Sequence, residues 1–123
     1  MTDRDELNSI SFQIIAAVGS ARSLYLEAVR AAKQGNLVRS QELLDEGDEC
    51  FSQGHHAHAS IIQREAAGEP TSMTLMLTHA EDQLMSAESI GLVAREFIEV
   101  YREQQELRAL IGRFSVGATP TAA

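Results

Sequence analysis

Between Leu75 and Met85 the chain reads Leu-Met-Leu-Thr-His-Ala-Glu-Asp-Gln-Leu-Met, an apolar helical pattern interrupted by an imidazole, two carboxylates and a carboxamide. Burying such groups without partners costs several kcal/mol, so a packed helix that carries them either pairs them or uses them. On a helix His79, Asp82 and Gln83 stand at i, i+3 and i+4 and share one face, where they can act together. A second group, His55-His56-Ala57-His58, lies upstream.

Three chemistries suit these residue types. Histidine and carboxylate are ligands for zinc or a di-metal centre. However, no Asp or Glu precedes a histidine by three positions, so the Glu-x-x-His pair of di-metal bundles is absent. His79-Ala80-Glu81 matches the His-x-Glu of zinc deaminases but lacks the Pro-Cys-x-x-Cys that completes that site. A second reading is structural, with the imidazoles paired to solvent or helix ends. The third is phosphoryl transfer, because a neutral imidazole nitrogen is a good in-line nucleophile toward phosphorus at roughly neutral pH. That reaction needs an accessible histidine, neighbours that orient the ring and a docking surface for the donor. No Gly-rich phosphate loop, GKS/T motif or kinase signature is present, so on this reading the phosphate comes from another protein.

Three helical segments position these residues. The first runs from about Asp5 to Lys33, with Ile14, Val18, Ala21, Tyr25, Ala28 and Ala32 at helical spacing, and stops at Gln34-Gly35-Asn36. Gly19-Ser20 within it reads as a close-packing site, or else as a local weak point. Asn36 is placed to cap a second helix from Leu37 to about Ala67, which ends at Gly68-Glu69-Pro70. Thr71 or Ser72 is placed to cap a third, running to about Phe114. Residues 1–114 thus form one domain, and 115–123, small and Pro-interrupted, are expected to be a disordered tail. The expected fold is an all-α, antiparallel three-helix bundle with long helices. Its second and third helices meet at a short turn, so the two histidine groups can converge. The third helix is apolar on more than one stripe, which points to oligomerisation.

With 18 Asp and Glu against 10 Lys and Arg, the net charge of −8 argues against a nucleic-acid surface and suits a basic protein partner. The single cysteine, Cys50, excludes an internal disulfide and reads as a buried small hydrophobe in a reducing compartment. The charged start Met1-Thr-Asp-Arg-Asp-Glu does not read as a signal peptide, and no stretch is long and apolar enough to span a membrane. The expectation is a soluble, cytoplasmic protein without membrane insertion.

Three blocks in order carry a family resemblance: Ile14-Ile-Ala-Ala-Val-Gly-Ser-Ala-Arg-Ser-Leu24, with Ala28 and Ala32-Lys-Gln-Gly35; His55 followed by Ile61-Ile-Gln-Arg-Glu-Ala-Ala-Gly-Glu69; and Leu77-Thr-His-Ala-Glu-Asp-Gln-Leu-Met85. They resemble the IIA component of the lactose/cellobiose (N,N'-diacetylchitobiose) class of the bacterial phosphoenolpyruvate-dependent sugar phosphotransferase system. The likeness spans about residues 8 to 112. It implies a phosphocarrier in which His79 accepts a phosphoryl group from HPr and passes it to a cysteine of the IIB component. It also implies a homotrimer in which Asp82 of each chain converges on a structural Mg2+.

The pattern is not followed everywhere. Glu81 stands where the family usually has Gln, Gln83 where many members have a second His, and His58 where Gln is common. Glu81 is expected to act against the phosphorylated state by favouring protonated His79 and repelling phosphate. Gln83 can still donate to phosphate oxygens, and His55 and His58 are expected near the site. The alternative reading is a non-catalytic regulatory or interaction module on the same trimeric bundle.

Overall fold

The computed structural model describes residues 3–117, folded as α1 (Asp3–Lys33), α2 (Leu37–Ala66) and α3 (Leu75–Gly117), with no strand among them. The short turns reverse the chain twice, so α2 runs antiparallel to its neighbours while α1 and α3 start at the same end of the bundle. Both early helices end alike. Gly35 at φ +91° and Gly68 at φ +93° take the left-handed conformation. In the first turn Asn36 N–H donates to Ala31 O and Gly35 N–H to Ala32 O; in the second Glu69 N–H donates to Arg64 O and Gly68 N–H to Glu65 O. Each is the paired closure that satisfies the last carbonyls of a helix, and glycine adopts it without a Cβ penalty.

Asn36 caps α2 as its sequence position indicates, its Oδ1 accepting from Arg39 N–H at 3.1 Å. The third cap differs from expectation. Thr74, not Thr71 or Ser72, opens α3, its Oγ1 accepting from Leu77 N–H at 3.1 Å. All three residue types are competent caps, and with Thr74 in that role Leu77 is fully buried. At the other end α3 continues through Ser115 to Gly117, since neither Ser115 nor Val116 breaks a propagating helix. The rest of the expected tail lies outside the described residues.

α1 is the central helix: it packs extensively on both α2 and α3, whereas those two touch each other sparingly. One core cluster joins Ile14 and Val18 to Ile61, Leu77 and Leu84. A second joins Tyr25, Ala28 and Ala32 to Leu43, Leu44, Ala94 and Ile98. Cys50 is half-buried at the edge of the second. The buried hydroxyls of Ser11 and Ser40 donate to Leu7 O and Ala28 O, so the core holds them at little cost.

Tyr25 ties all three helices. Its ring lies in a slot between Gly47 and Gly91, where an added Cβ would come within 2.7 Å and 2.8 Å of the ring respectively. Its hydroxyl donates to Asp48 Oδ1 at 2.8 Å. Asp48 in turn pairs with Arg95, whose guanidinium carbon lies 5.6 Å from the Tyr25 ring centre. Burial, reinforced by the hydrogen bond to Asp48, pushes the Tyr25 phenol up to about 12. Arg95 is raised above its ordinary value by its hydrogen bond to Asp48.

Close packing at glycine therefore falls at Gly47, Gly91 and Gly54, not at Gly19, where an added Cβ meets nothing within 4 Å. This predicts opposite signs for one chemical change. Gly47→Ala should lose about 1–3 kcal/mol, since the ring has no room to retreat with Gly91 on its other side. Gly19→Ala should gain about 0.5–1 kcal/mol from helix propensity alone. Urea unfolding midpoints of the two variants check both, and equal shifts would disprove the slot.

Candidate functional site

His79 stands in the second turn of α3, exposed and without a side-chain partner among the described residues. Because α1 and α3 begin at the same end, the first turns of α1 lie beside it. His79, Thr74, Leu75 and Met76 from α3 and its cap, with Arg4 and Asn8 from α1, line a cavity of about 510 Å³. Arg4 and Thr74 also border a neighbouring cleft of about 730 Å³ under the α2–α3 turn. Arg4 and Asn8 were not among the residues that motif spacing selects, since nothing in their local sequence marks them. The signal that could have found them is the up-down-up order, which sets the start of α1 against the start of α3.

Glu81 takes a different course. Residues two apart on a helix point about 200° away from each other, so His79 and Glu81 leave α3 on opposite flanks. The Glu81 side reaches α2, where its Oε1 lies 3.0 Å from His58 Nε2. His58 is thus brought to Glu81 rather than to His79. The pair is partly shielded, with side-chain exposures of 19% for His58 and 37% for Glu81. His55 is exposed on α2 and stacks on Phe51, ring centres 6.2 Å apart, with His56 edge-on beside it. The convergence of the two histidine groups is accordingly a meeting of His58 with α3, not of all four imidazoles.

Asp82 and Gln83 follow His79 by one turn. Gln83 is half-buried and Asp82 exposed, and neither side chain has a partner among the described residues. Asp82 stands in the middle of the outward face of α3. Met85, Val93, Phe97, Val100 and Leu107 continue that face and are each about half exposed or more. Among the described residues of one chain, no three His, Cys, Asp or Glu side chains are placed to hold a metal ion. A single free carboxylate is nonetheless a suitable hard donor for Mg2+, provided further oxygens come from elsewhere.

Chemically, the site offers an unencumbered imidazole at the rim of a cavity with one guanidinium, one carboxamide and apolar walls. Such an arrangement can present a nucleophile to an incoming group while leaving the approach open.

The comparisons with known proteins agree on one family. Residues 9–102 match the family described as the lactose/cellobiose-specific IIA subunit of the phosphotransferase system (PTS). The lichenan-specific phosphotransferase enzyme IIA component of Bacillus subtilis (strain 168) is 41% identical over 104 residues, covering 85% of this chain and 94% of that one. The lactose-specific EIIA component of Staphylococcus epidermidis is 33% identical over 101 residues, covering 82% and 97%. The crystal structure of the cellobiose-specific enzyme IIA of Bacillus anthracis superposes with a TM-score of 0.80 at 37% identity, over 86% of this chain and 94% of the other. With fold, helix order and sequence all in agreement, the chain belongs to the lactose/cellobiose-specific IIA family of the sugar phosphotransferase system.

Proposed function

We propose that this protein is the phosphocarrier of a sugar uptake system, working in the cytoplasm. His79 takes a phosphoryl group from HPr and hands it to a cysteine of the IIB component, for a sugar of the lactose, cellobiose or chitobiose type. Membership of the family supports the general role, and no described helix is long and apolar enough to cross a membrane. The observation that carries the assignment of the residue is the free, exposed imidazole at the mouth of its cavity. A ring nitrogen forms the new bond to phosphorus while the donor's bond breaks. The labile phosphoramidate so formed transfers in the same way to a thiolate. Such a carrier must dock two partners in turn, which suits a nucleophile on an open flank rather than in a closed pocket.

The alternative, a non-catalytic module on the same bundle, rested on Glu81. With its carboxylate directed to His58, the feature that favoured that reading loses its weight.

The quaternary proposal is a homotrimer about an axis lined by the outward face of α3. That face leaves large apolar side chains exposed in one chain, and copies of the same helix would cover them. Asp82 from each chain would then converge on Mg2+, which would neutralise three carboxylates that otherwise repel.

Three outcomes are expected. His79→Ala should abolish the gain of one phosphate, read by intact mass after incubation with phosphoenolpyruvate, enzyme I and HPr, while leaving helicity unchanged; uptake of acid-labile phosphate by the variant would overturn the assignment. Asp82→Leu should remove both the repulsion and the need for a cation, so its trimer mass by light scattering should survive chelator better than the parent's; a monomeric parent at micromolar concentration would refute the trimer. Glu81→Gln should alter the phosphorylation rate by no more than about twofold, because the replaced charge is engaged by His58 on the far flank and screened by solvent; a large acceleration would place that carboxylate beside the phosphate after all.

A further inference from the structure

The cavity at His79 holds one guanidinium, that of Arg4. We propose that Arg4, with Asn8 one turn further along α1, clasps the phosphoryl group carried by His79. The inference rests on the phosphocarrier reading of His79 and adds to it the residues that hold the charge.

A phosphoryl group on an imidazole brings close to two negative charges and three strong acceptor oxygens. The surroundings are unfavourable for it. The chain carries a net charge of −8, and Asp3, Asp5 and Glu6 stand in the first turn of α1, beside the cavity. An anion settles there only where a cation and donors are already in place.

The nearby arginines differ in what remains free. Arg64 is engaged by Glu6 at 3.2 Å and by Glu69 at 3.5 Å. Arg22 reaches Ser86. Arg4 lines the His79 cavity and makes no ion pair or side-chain hydrogen bond among the described residues. Its planar fork of donors matches two phosphate oxygens at once, which an ammonium does not do. Asn8 follows at i+4 on the same face of α1, half-buried, with its carboxamide equally uncommitted. Leu75 and Met76 form the apolar walls.

Both residues precede the segment 9–102 that matches the family, so the clasp is read from the packing of α1 on α3 and from the free guanidinium. Arg4 also borders the neighbouring cleft, from which a long flexible side chain can swing onto the phosphoryl group after transfer.

The test uses the full-length protein and a small donor, so that protein docking cannot account for the result. Phosphoramidate transfers its phosphoryl group to a ring nitrogen of His79; the new nitrogen–phosphorus bond forms as the old one breaks, and ammonia leaves. Phosphorus NMR then follows the last protonation of the bound phosphoryl group against pH. A guanidinium in contact stabilises the dianion, so Arg4→Gln should move that midpoint upward, and Arg4→Lys should bring it part of the way back. With HPr as donor, the equilibrium share of phosphorylated protein should fall about three- to tenfold in Arg4→Gln. Asn8→Ala should act in the same direction and less. If the parent carries phosphate on His79 and Arg4→Gln shows the parent's midpoint and equilibrium, the clasp is overturned while the carrier reading stands. If the parent takes up no phosphate at His79 from either donor, the carrier reading itself fails.

Discussion

The rotation of α3 about its own axis is the constraint on which the rest depends. The buried stripe Leu77, Leu84, Ala87, Ala94 and Ile98, packed on α1, sets that rotation. Toward α2, which α3 meets sparingly, two polar tethers add to it. Arg95 reaches across to Asp48 beside the Tyr25 ring, and Glu81 reaches across to His58. The slot at Gly91 adds a steric limit, since turning α3 would drive a bulkier neighbour of that glycine into the Tyr25 ring. With the rotation fixed, three side chains within one turn acquire three environments. His79 faces the start of α1, Glu81 faces α2, and Asp82 faces outward. A polar tether is suited to this task because its geometry is specific, even where its net contribution to stability is small.

That division matters most for electrostatics. On the proposed phosphocarrier reading, an acidic protein needs its carboxylates directed away from His79 and at least one cation directed toward it. The bundle accomplishes the first by helical geometry, since two residues of separation place Glu81 on the opposite flank. It accomplishes the first again by pairing, since Glu6 and Glu69 are occupied with Arg64. These are exposed or half-exposed pairs, each worth little as stability. Their value is to decide which charges remain free near His79.

Much of the fold is legible in the sequence because its signals are local. The two glycine turns, the Asn36 cap and the period of Ile14, Val18, Ala21, Tyr25 and Ala28 each follow from residues within one or two turns of one another. The departures arise where tertiary packing decides. The sequence offers Thr71 or Ser72 as the cap of α3, and the helix opens instead at Thr74, with Leu77 fully buried behind it. Gly19 looked like a packing site and is an open one, whereas Gly47 and Gly91 are packed because Tyr25, distant in sequence, needs the space. Within the candidate site His79, Asp82 and Gln83 could be chosen from their spacing. Arg4 and Asn8 could not, because only the packing of α1 on α3 puts them there. Glu81 shows the converse: two residues from His79 along the chain, it meets His58 of α2 in space, and only tertiary packing decides that partner.

The outward face of α3 completes the physical argument. From Glu106 to Ser115 every residue is exposed, and Leu107, Leu110, Ile111 and Phe114 extend an apolar face that begins near Met85. At 43 residues α3 is about 65 Å long against about 46 Å for α1, so its last turns outrun the helices that could cover them. Gln105 marks the end of that cover, donating to Ala32 O at the close of α1. Exposed apolar faces of this extent signal a partner, and in the proposed trimer that partner would be the same helix in another copy. Asp82 then takes on a second meaning. In the proposed trimer a lone carboxylate in an apolar seam would weaken association but accept only the register and copy number in which its charge is neutralised, so the residue that costs stability would also specify the assembly.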